Sequence, residues 1–256
     1  MSEMDVLLFN SDRTVYEVIR VIDGVALFLE DHFTRLISSV KIRGLQFRME
    51  FPEFRQNITE LTKLNQIKNG NVKFVLTGNE LENRWAFSFI PHSYPSTNDY
   101  QQGVATGLLY EERENPNAKV IQSTVRDRAN QIISDEKRYE VLLVDRNGQI
   151  TEGSRSNVFF VKDNRFYTAP EAQVLVGITR QKVLECLTEL GCPIVEDAVG
   201  ASEIDCFDAV FLTGTSPKVL PVNCIGSTQF AVNNYFVEQL IAKYNSTIEA
   251  YIKERK

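Results

Sequence analysis

The chain has 256 residues, enough for one large domain or two modest ones, and its 43% hydrophobic and 24% charged content is ordinary for a globular protein. A net charge of −6 argues against nucleic acid as the main partner, and no apolar run approaches the roughly 20 residues that span a bilayer. Four cysteines without metal-like spacing, two histidines and no signal-peptide pattern argue against a metal site or a Ser-His-Asp hydrolase and predict reduced thiols in a cytoplasm.

The first hundred residues predict an α+β unit. Thr14–Ile22 has the composition of a strand, Asp23-Gly24 marks a hairpin, and the following VALFLE predicts the second strand. Asp31 opens a helix whose apolar residues recur at helical spacing, and a second helix begins near Glu53. Two further strands are expected before residue 91.

A polar stretch over 91–107 predicts the link between two domains. We therefore expect a smaller N-terminal domain over 1–107 and a larger C-terminal domain over 108–256. In the second half, Thr124–Lys137 is predicted to be helical, and Asp145–Gly148 has the chemistry of a hairpin turn.

Three polar clusters follow in places where chemistry is possible. Glu152 stands at the head of a strand, where an ionised side chain would be partly buried and is normally paired. Gly177-Ile178-Thr179 precedes a helix and could bind a phosphate through its N–H groups, or could be a simple helix cap. Thr213-Gly214-Thr215-Ser216 could cradle phosphate oxygens or form an ordinary turn. The chain contains neither GxxxxGK[ST] nor GxGxxG, so nucleotide folds of those types are not supported.

Taken together and in this order, four stretches of the chain resemble the fold-type IV pyridoxal-phosphate enzymes. That family includes branched-chain and D-amino-acid aminotransferases and aminodeoxychorismate lyase. The stretches are YEVIRVIDGVALFLEDHFTRL (Tyr16–Leu36), EVLLVDRNGQITEGSRSNVFFV (Glu140–Val161), VGITRQKVLE (Val176–Glu185) and LTGTSPKVLPV (Leu212–Val222). The resemblance implies a two-domain α+β fold, with a small N-terminal α/β domain and a larger C-terminal pseudo-barrel domain. It also implies a homodimer and pyridoxal 5'-phosphate as the cofactor, which we expect between the domains.

The resemblance also implies roles for particular residues. Glu152 would contact the pyridine nitrogen and keep it protonated, so that the ring can withdraw electrons. Tyr16 would lie near the substrate. The expected phosphate site comprises Arg35, the backbone N–H groups of Ile178 and Thr179, the Thr179 hydroxyl, Gly214 and Thr215.

The lysine that forms a Schiff base with the cofactor is expected on the strand before the helix that precedes the TEG hairpin. Lys119 is the only lysine of NPNAKVIQSTVRDRAN and is the predicted residue. In a competing alignment Gln122 occupies the lysine position of the family's IKSLN pattern, and the protein would then bind cofactor without transaminating. Lys218 is a third candidate.

The leading prediction is an enzyme that transfers an amino group between an amino acid, of the branched-chain or D-amino-acid type, and a 2-oxo acid. An aminodeoxychorismate lyase, which forms 4-aminobenzoate and releases pyruvate, would use every one of the same cofactor contacts. A non-catalytic cofactor-binding protein and a scaffold with an empty pocket are further alternatives. Arg84, Arg126 and Arg155 are candidate anchors for a substrate carboxylate, although each is of a type more often found on the surface.

Overall fold

A computed structural model describes residues 14–78, 83–113, 116–120 and 123–256. Its helices are α1 (Leu29–Ile42), α2 (Phe51–Asn65), α3 (Thr97–Gln102), α4 (Ser123–Asp135), α5 (Ile178–Glu189) and α6 (Tyr235–Arg255). Its first strands are β1 (Val15–Ile22), β2 (Val25–Ala26), β3 (Gly70–Gly78), β4 (Asn83–Ile90) and β5 (Val104–Tyr110). The later strands are β6 (Glu140–Val144), β7 (Gln149–Gly153), β8 (Asn157–Lys162), β9 (Arg165–Thr168), β10 (Ile194–Glu196), β11 (Val199–Gly200), β12 (Ala209–Gly214), β13 (Lys218–Ile225) and β14 (Thr228–Gln229).

These elements form two compact units. The first comprises the described residues up to Ser93 together with those of Ala118–Gln122 and Ile248–Lys256, and the second comprises the described residues of Tyr94–Asn117 and Ser123–Thr247. The division predicted after residue 107 falls inside β5, a strand that pairs with β6 and β13. No helix in the described ranges is long and apolar enough to cross a membrane.

The first unit contains a four-stranded sheet in the described part of the chain, in the order β2-β1-β3-β4. Buried and half-buried residues alternate along β1, so that its odd-numbered residues from Val15 to Val21 share one face. Helices α1 and α2 pack on that face through Leu36, Phe54 and Ile58. The even-numbered residues of β1, including Tyr16, therefore lie on the other face.

The start of α1 differs from the prediction. VALFLE does not form one strand: pairing ends at Ala26, and α1 begins at Leu29 rather than at Asp31. The cause is Phe28, whose φ of 49° is in the left-handed region and turns the chain out of the sheet. Its ring packs 4.9 Å from the ring of Tyr251, and the Leu29 N–H donates to the Tyr251 hydroxyl at 3.0 Å.

The second unit is built on a strongly curled sheet. Six of its strands are hydrogen-bonded in the order β8-β12-β13-β5-β6-β7. Strands β7 and β8 end this six-strand series, yet only residues 154–156 separate them in the chain. The sheet must therefore curve until β7 and β8 come together at that turn, with β9, β10 and β11 extending it beyond them. This barrel-like sheet confirms the predicted fold class.

Candidate active site

Lys119 and Tyr16 lie side by side in the first unit. Val120 forms an isolated antiparallel bridge with Val15, and the Tyr16 N–H donates to the Lys119 carbonyl at 3.1 Å. The Lys119 N–H in turn donates to the hydroxyl of Ser39 at 3.2 Å. These backbone bonds bring the Lys119 ammonium nitrogen to 4.9 Å from the centre of the Tyr16 ring. An amine and a phenol close to each other form a suitable pair for covalent and proton-transfer chemistry.

A second lysine approaches the same tyrosine. Lys73 of β3 places its Nζ 5.5 Å from the centre of the Tyr16 ring. Both ammonium groups are therefore close to one phenol, which favours an anion at this surface of the sheet.

Arg35 lies on the other face of the sheet, on α1, where it forms a bidentate pair with Glu17. Its Nε and Nη2 donate to the two carboxylate oxygens at 2.8 and 2.6 Å. His32, one turn earlier, places Nδ1 2.7 Å from Glu17 Oε2. Glu17 is fully buried, and this by itself would raise its pKa; Arg35 and the hydrogen bonds of both partners instead lower the pKa to about 2.

The imidazole in this cluster is held neutral. Burial, together with the charges of Arg35 and Lys119, lowers the pKa of His32 in spite of the opposite effect of the neighbouring Glu17 carboxylate. A neutral ring can donate to a carboxylate only through a protonated nitrogen, so Nδ1 carries the hydrogen. Glu17 of β1, itself held by His32 of α1, thus fixes Arg35 in place.

In the second unit, Glu152 is a buried carboxylate surrounded by donors. Its Oε2 accepts from the Leu175 N–H at 3.2 Å and from Asn157 Nδ2 at 3.4 Å. Its Oε1 lies 3.3 Å from Nε of Arg113, whose Nη2 also donates to the Ser154 carbonyl at 2.6 Å. Glu152 is therefore buried and paired, but near the end of β7 rather than at the predicted head of a strand, and Arg113 is a partner that the sequence reasoning missed.

The start of α5 is linked to the same carboxylate. Gly177 is the N-cap residue and makes no side-chain cap, so the N–H groups of the first turn, those of Ile178 and Thr179 among them, have no acceptor within the helix. A Cβ on Gly177 would collide with Oδ1 of Asn157, the residue that donates to Glu152. A positive helix end and a buried carboxylate therefore share one neighbour, Asn157.

Strand β12 brings the third cluster beside Asn157. Thr213 is directly opposite Asn157 in the β12–β8 pairing, and its buried Oγ1 has no hydrogen-bond partner. Gly214 ends β12, and Thr215 begins the turn to β13. A buried hydroxyl in this position is available to a ligand, as a phosphate cradle requires.

Four other candidate residues have different surroundings. Lys218 opens β13 and donates to Oδ1 of Asn245 at 3.2 Å, within the second unit. Arg155 is exposed, and its guanidinium donates to Oδ1 of Asn130. Arg84 lies on β4 and Arg126 on α4.

The structure thus assembles the predicted residues in two groups. Tyr16 and Lys119 adjoin in the first unit, and Arg35 is there too, on the opposite face of β1. In the second unit Glu152, the α5 start and Thr213 of β12 all adjoin Asn157. Gln122, the alternative to Lys119, lies outside the described residues.

Comparison with known proteins decides the family. The amino-transferase class IV model matches residues 14–225. The chain belongs to the class IV aminotransferase family. This confirms the family predicted from the four sequence stretches.

The relatives include both kinds of transaminase named above. The chain is 29% identical over 222 residues to a D-alanine aminotransferase of Bacillus licheniformis, covering 82% of this chain and 78% of the relative. A Thermotoga maritima structure, of a protein assigned as a branched-chain amino acid aminotransferase, is 28% identical with a TM-score of 0.83, over 97% of this chain and 91% of that one. A Legionella pneumophila structure assigned as a 4-amino-4-deoxychorismate lyase has a TM-score of 0.83 at 22% identity, over 93% and 94% of the two chains, and shows the shared fold.

Proposed function

We propose that this protein is a pyridoxal-phosphate-dependent aminotransferase that moves an amino group between an amino acid, of the branched-chain or D-amino-acid type, and a 2-oxo acid. The observation that carries the proposal is the buried Glu152 carboxylate, held by Arg113, Asn157 and the Leu175 N–H. A buried carboxylate held in place by donors is suited to bind a cationic ring nitrogen. The family membership and the names of the relatives support the same reaction.

The residues of the two groups fit the cofactor chemically. Its phosphate needs cationic and N–H or O–H donors, which Arg35, the start of α5 and the β12–β13 turn offer, and the unpartnered Thr213 hydroxyl is a further donor. Its aldehyde needs a primary amine, which Lys119 offers. When bound, pyridoxal phosphate supplies a ring that withdraws electrons from the amino acid's α-carbon.

Each protein group has a defined task in this proposal. Lys119 would hold the cofactor through Nζ and would carry the proton that leaves and returns at the α-carbon. Tyr16 lies against that amine and orients it. Glu152 would face the ring nitrogen, and Arg113, with Nε 3.3 Å from Glu152 Oε1, holds the carboxylate in place.

We further propose a homodimer and a cytoplasmic location. All four cysteines, each within the described residues, are free thiols, in keeping with a reducing compartment. Substrates are small molecules.

The test is a single half-reaction with purified protein loaded with pyridoxal phosphate. L-leucine, D-alanine and other amino acids are added one at a time, and the absorbance of the bound cofactor is followed together with the 2-oxo acid released. Conversion of the cofactor to its amine form with stoichiometric 2-oxo acid supports a transaminase. No conversion with any amino acid, together with pyruvate release from aminodeoxychorismate, would instead make the protein a lyase.

A further inference from the structure

Glu140 is a buried carboxylate outside the two groups described above. It is the first residue of β6, only 3% of it is exposed, and its two oxygens accept four hydrogen bonds. Oε1 accepts hydrogen bonds from the Val141 N–H at 3.0 Å and from the Ser154 hydroxyl at 2.6 Å. Oε2 accepts from the Arg155 N–H at 3.1 Å and from the Ser156 hydroxyl at 3.0 Å.

Three of these four donors belong to the turn between β7 and β8. The turn also has two backbone bonds, from the Gly153 N–H to the Ser156 carbonyl at 2.7 Å and from the Ser154 N–H to the Val141 carbonyl at 2.9 Å. A Cβ on Gly153 would collide with the Ser156 hydroxyl and come within 3.2 Å of the Glu140 side chain. The carboxylate therefore occupies the inside of the turn that joins β7 to β8.

The turn adjoins Glu152 on both sides. Glu152 immediately precedes Gly153, and Asn157, its amide donor, immediately follows Ser156. The Ser154 carbonyl also accepts a hydrogen bond from Arg113, the arginine whose guanidinium faces Glu152. Displacement of the turn would therefore move Glu152 relative to two of its partners.

We propose that Glu140 is a positioning residue that fixes the Glu152 carboxylate for the cofactor's ring nitrogen; the inference rests on the proposed function. The residue must be a carboxylate because each of its oxygens faces one backbone N–H and one hydroxyl. A glutamine amide would present an NH₂ group to the N–H of either Val141 or Arg155, and that N–H would lose its acceptor. A hydroxyl can rotate to accept instead, but a backbone N–H cannot.

The test compares Glu140→Gln with a matched control, Glu136→Gln, an exposed glutamate in the loop before β6. Pyridoxal phosphate affinity is measured by absorbance titration, and ¹⁵N NMR of ring-labelled cofactor reports protonation of the ring nitrogen. We expect the dissociation constant to rise about tenfold in Glu140→Gln, because a displaced Glu152 would make a poorer contact with the ring nitrogen. The ring-nitrogen signal should shift towards the unprotonated form, and Glu136→Gln should match the wild type in both readouts.

A double variant separates positioning from general stability. If Glu140 acts through Glu152, Glu140→Gln should change neither readout much further in a Glu152→Gln background. Equal effects in both backgrounds, or a wild-type ring-nitrogen signal in Glu140→Gln, would overturn the inference. If Glu140→Gln does not fold, Ser156→Ala removes a single donor and should shift the signal in the same direction by less; an unchanged signal and affinity there would also overturn it.

The proposed function can fail separately from this inference. A wild type that does not bind pyridoxal phosphate, or a Glu152→Gln variant with the wild-type ring-nitrogen signal, would contradict the assignment of Glu152 and the inference with it. A Glu152→Gln variant that loses the protonated signal, beside a Glu140→Gln variant that keeps it, would leave the function intact and remove only the role of Glu140.

Discussion

Arg113 faces Glu152 with its Nε 3.3 Å from Oε1, and both side chains are largely withdrawn from water, at 13% and 3% exposure. The same guanidinium donates to the Ser154 carbonyl in the turn that follows. One cation therefore both balances the charge of Glu152 and ties down the backbone next to it.

Replacing Arg113 by methionine should lower the free energy of unfolding by about 3 kcal/mol, because it leaves Glu152 buried without its counter-charge. Urea denaturation of the cofactor-free protein measures this. Arg113→Met combined with Glu152→Gln should regain part of the loss, since no buried charge remains. Arg146→Met is the control: that arginine is 81% exposed in its pair with Glu112, so its loss should leave the free energy of unfolding close to the wild-type value. Equal losses of unfolding free energy in Arg113→Met and Arg146→Met would contradict this expectation.

Gly177→Ala should weaken cofactor binding by a steric effect alone, without straining the backbone. Its φ of −68° and ψ of 135° suit any residue, so the backbone is not strained by alanine. The added Cβ would instead displace the Asn157 side chain, which donates to both Glu152 and the Leu175 carbonyl. We expect a rise of about tenfold or more in the dissociation constant for pyridoxal phosphate, measured by absorbance titration.

Gly107→Ala is the matched control for that substitution. Its Cβ would meet the nearest atom, Val141 Cγ1, at 3.4 Å, an ordinary van der Waals distance. Cofactor affinity should stay at the wild-type value in this variant. Weakening of the same size in both variants would show that any added methyl group disturbs this unit.

Thr213→Val should separate stability from cofactor binding. In the cofactor-free protein it removes a buried hydroxyl without a partner, so the free energy of unfolding should stay the same or rise. Affinity for pyridoxal phosphate should fall, because a donor to the phosphate is lost. Thr168→Val is the contrast: its hydroxyl donates to the Val158 carbonyl at 2.9 Å, so that variant should lose about 1 kcal/mol of stability. Unchanged cofactor affinity in Thr213→Val would remove this hydroxyl from the phosphate cradle.

Stability should depend on pH through His32. Because burial lowers the pKa of His32 below its ordinary 6.5, the unfolded chain binds a proton below pH 6.5 that the folded chain does not. The free energy of unfolding should therefore fall as the pH drops below 6.5, by up to about 1.4 kcal/mol per pH unit for this one proton.

The comparison variant for that slope is His32→Asn, whose Nδ2 can still donate to Glu17 but does not titrate. Urea denaturation between pH 5 and 7.5 should give a shallower slope for His32→Asn than for the wild type. His92→Asn, at an exposed histidine, is the control. A wild-type slope in His32→Asn would show that other groups cause the acid sensitivity.

Much of this fold and site follows from local sequence pattern. The DRNG motif predicted the turn at Asp145–Gly148, and Gly177-Ile178-Thr179 predicted the helix that follows it, because hairpin chemistry and helix starts are encoded within a few residues. Glu152 was expected at the head of a strand and instead lies next to the end of β7. The bounds of α1 were missed because the left-handed Phe28 is held by Tyr251, more than two hundred residues away.

The partners of the functional residues were harder to foresee for the same reason. Arg113 precedes Glu152 by 39 residues, and they come together because β5, which Arg113 follows, and β7, which holds Glu152, pair with opposite edges of β6. Glu17 could have been recognised from the sequence as a residue that needs a cationic partner, since it is a carboxylate on the buried face of a strand. Arg35 is that cation as well as the predicted phosphate ligand, a double use that the sequence pattern does not reveal.

The most direct test of the account is to locate the lysine that holds the cofactor. The protein is loaded with pyridoxal phosphate, reduced with borohydride and mapped by mass spectrometry, with Lys119→Ala and Lys73→Ala as paired variants. We predict a pyridoxyl group on Lys119 in the wild type and in Lys73→Ala, and none at this site in Lys119→Ala. Label on Lys73 or Lys218, or cofactor that binds without any labelled lysine, would contradict the assignment; the last result would indicate that Gln122 occupies the lysine position and that the protein binds its cofactor without transaminating.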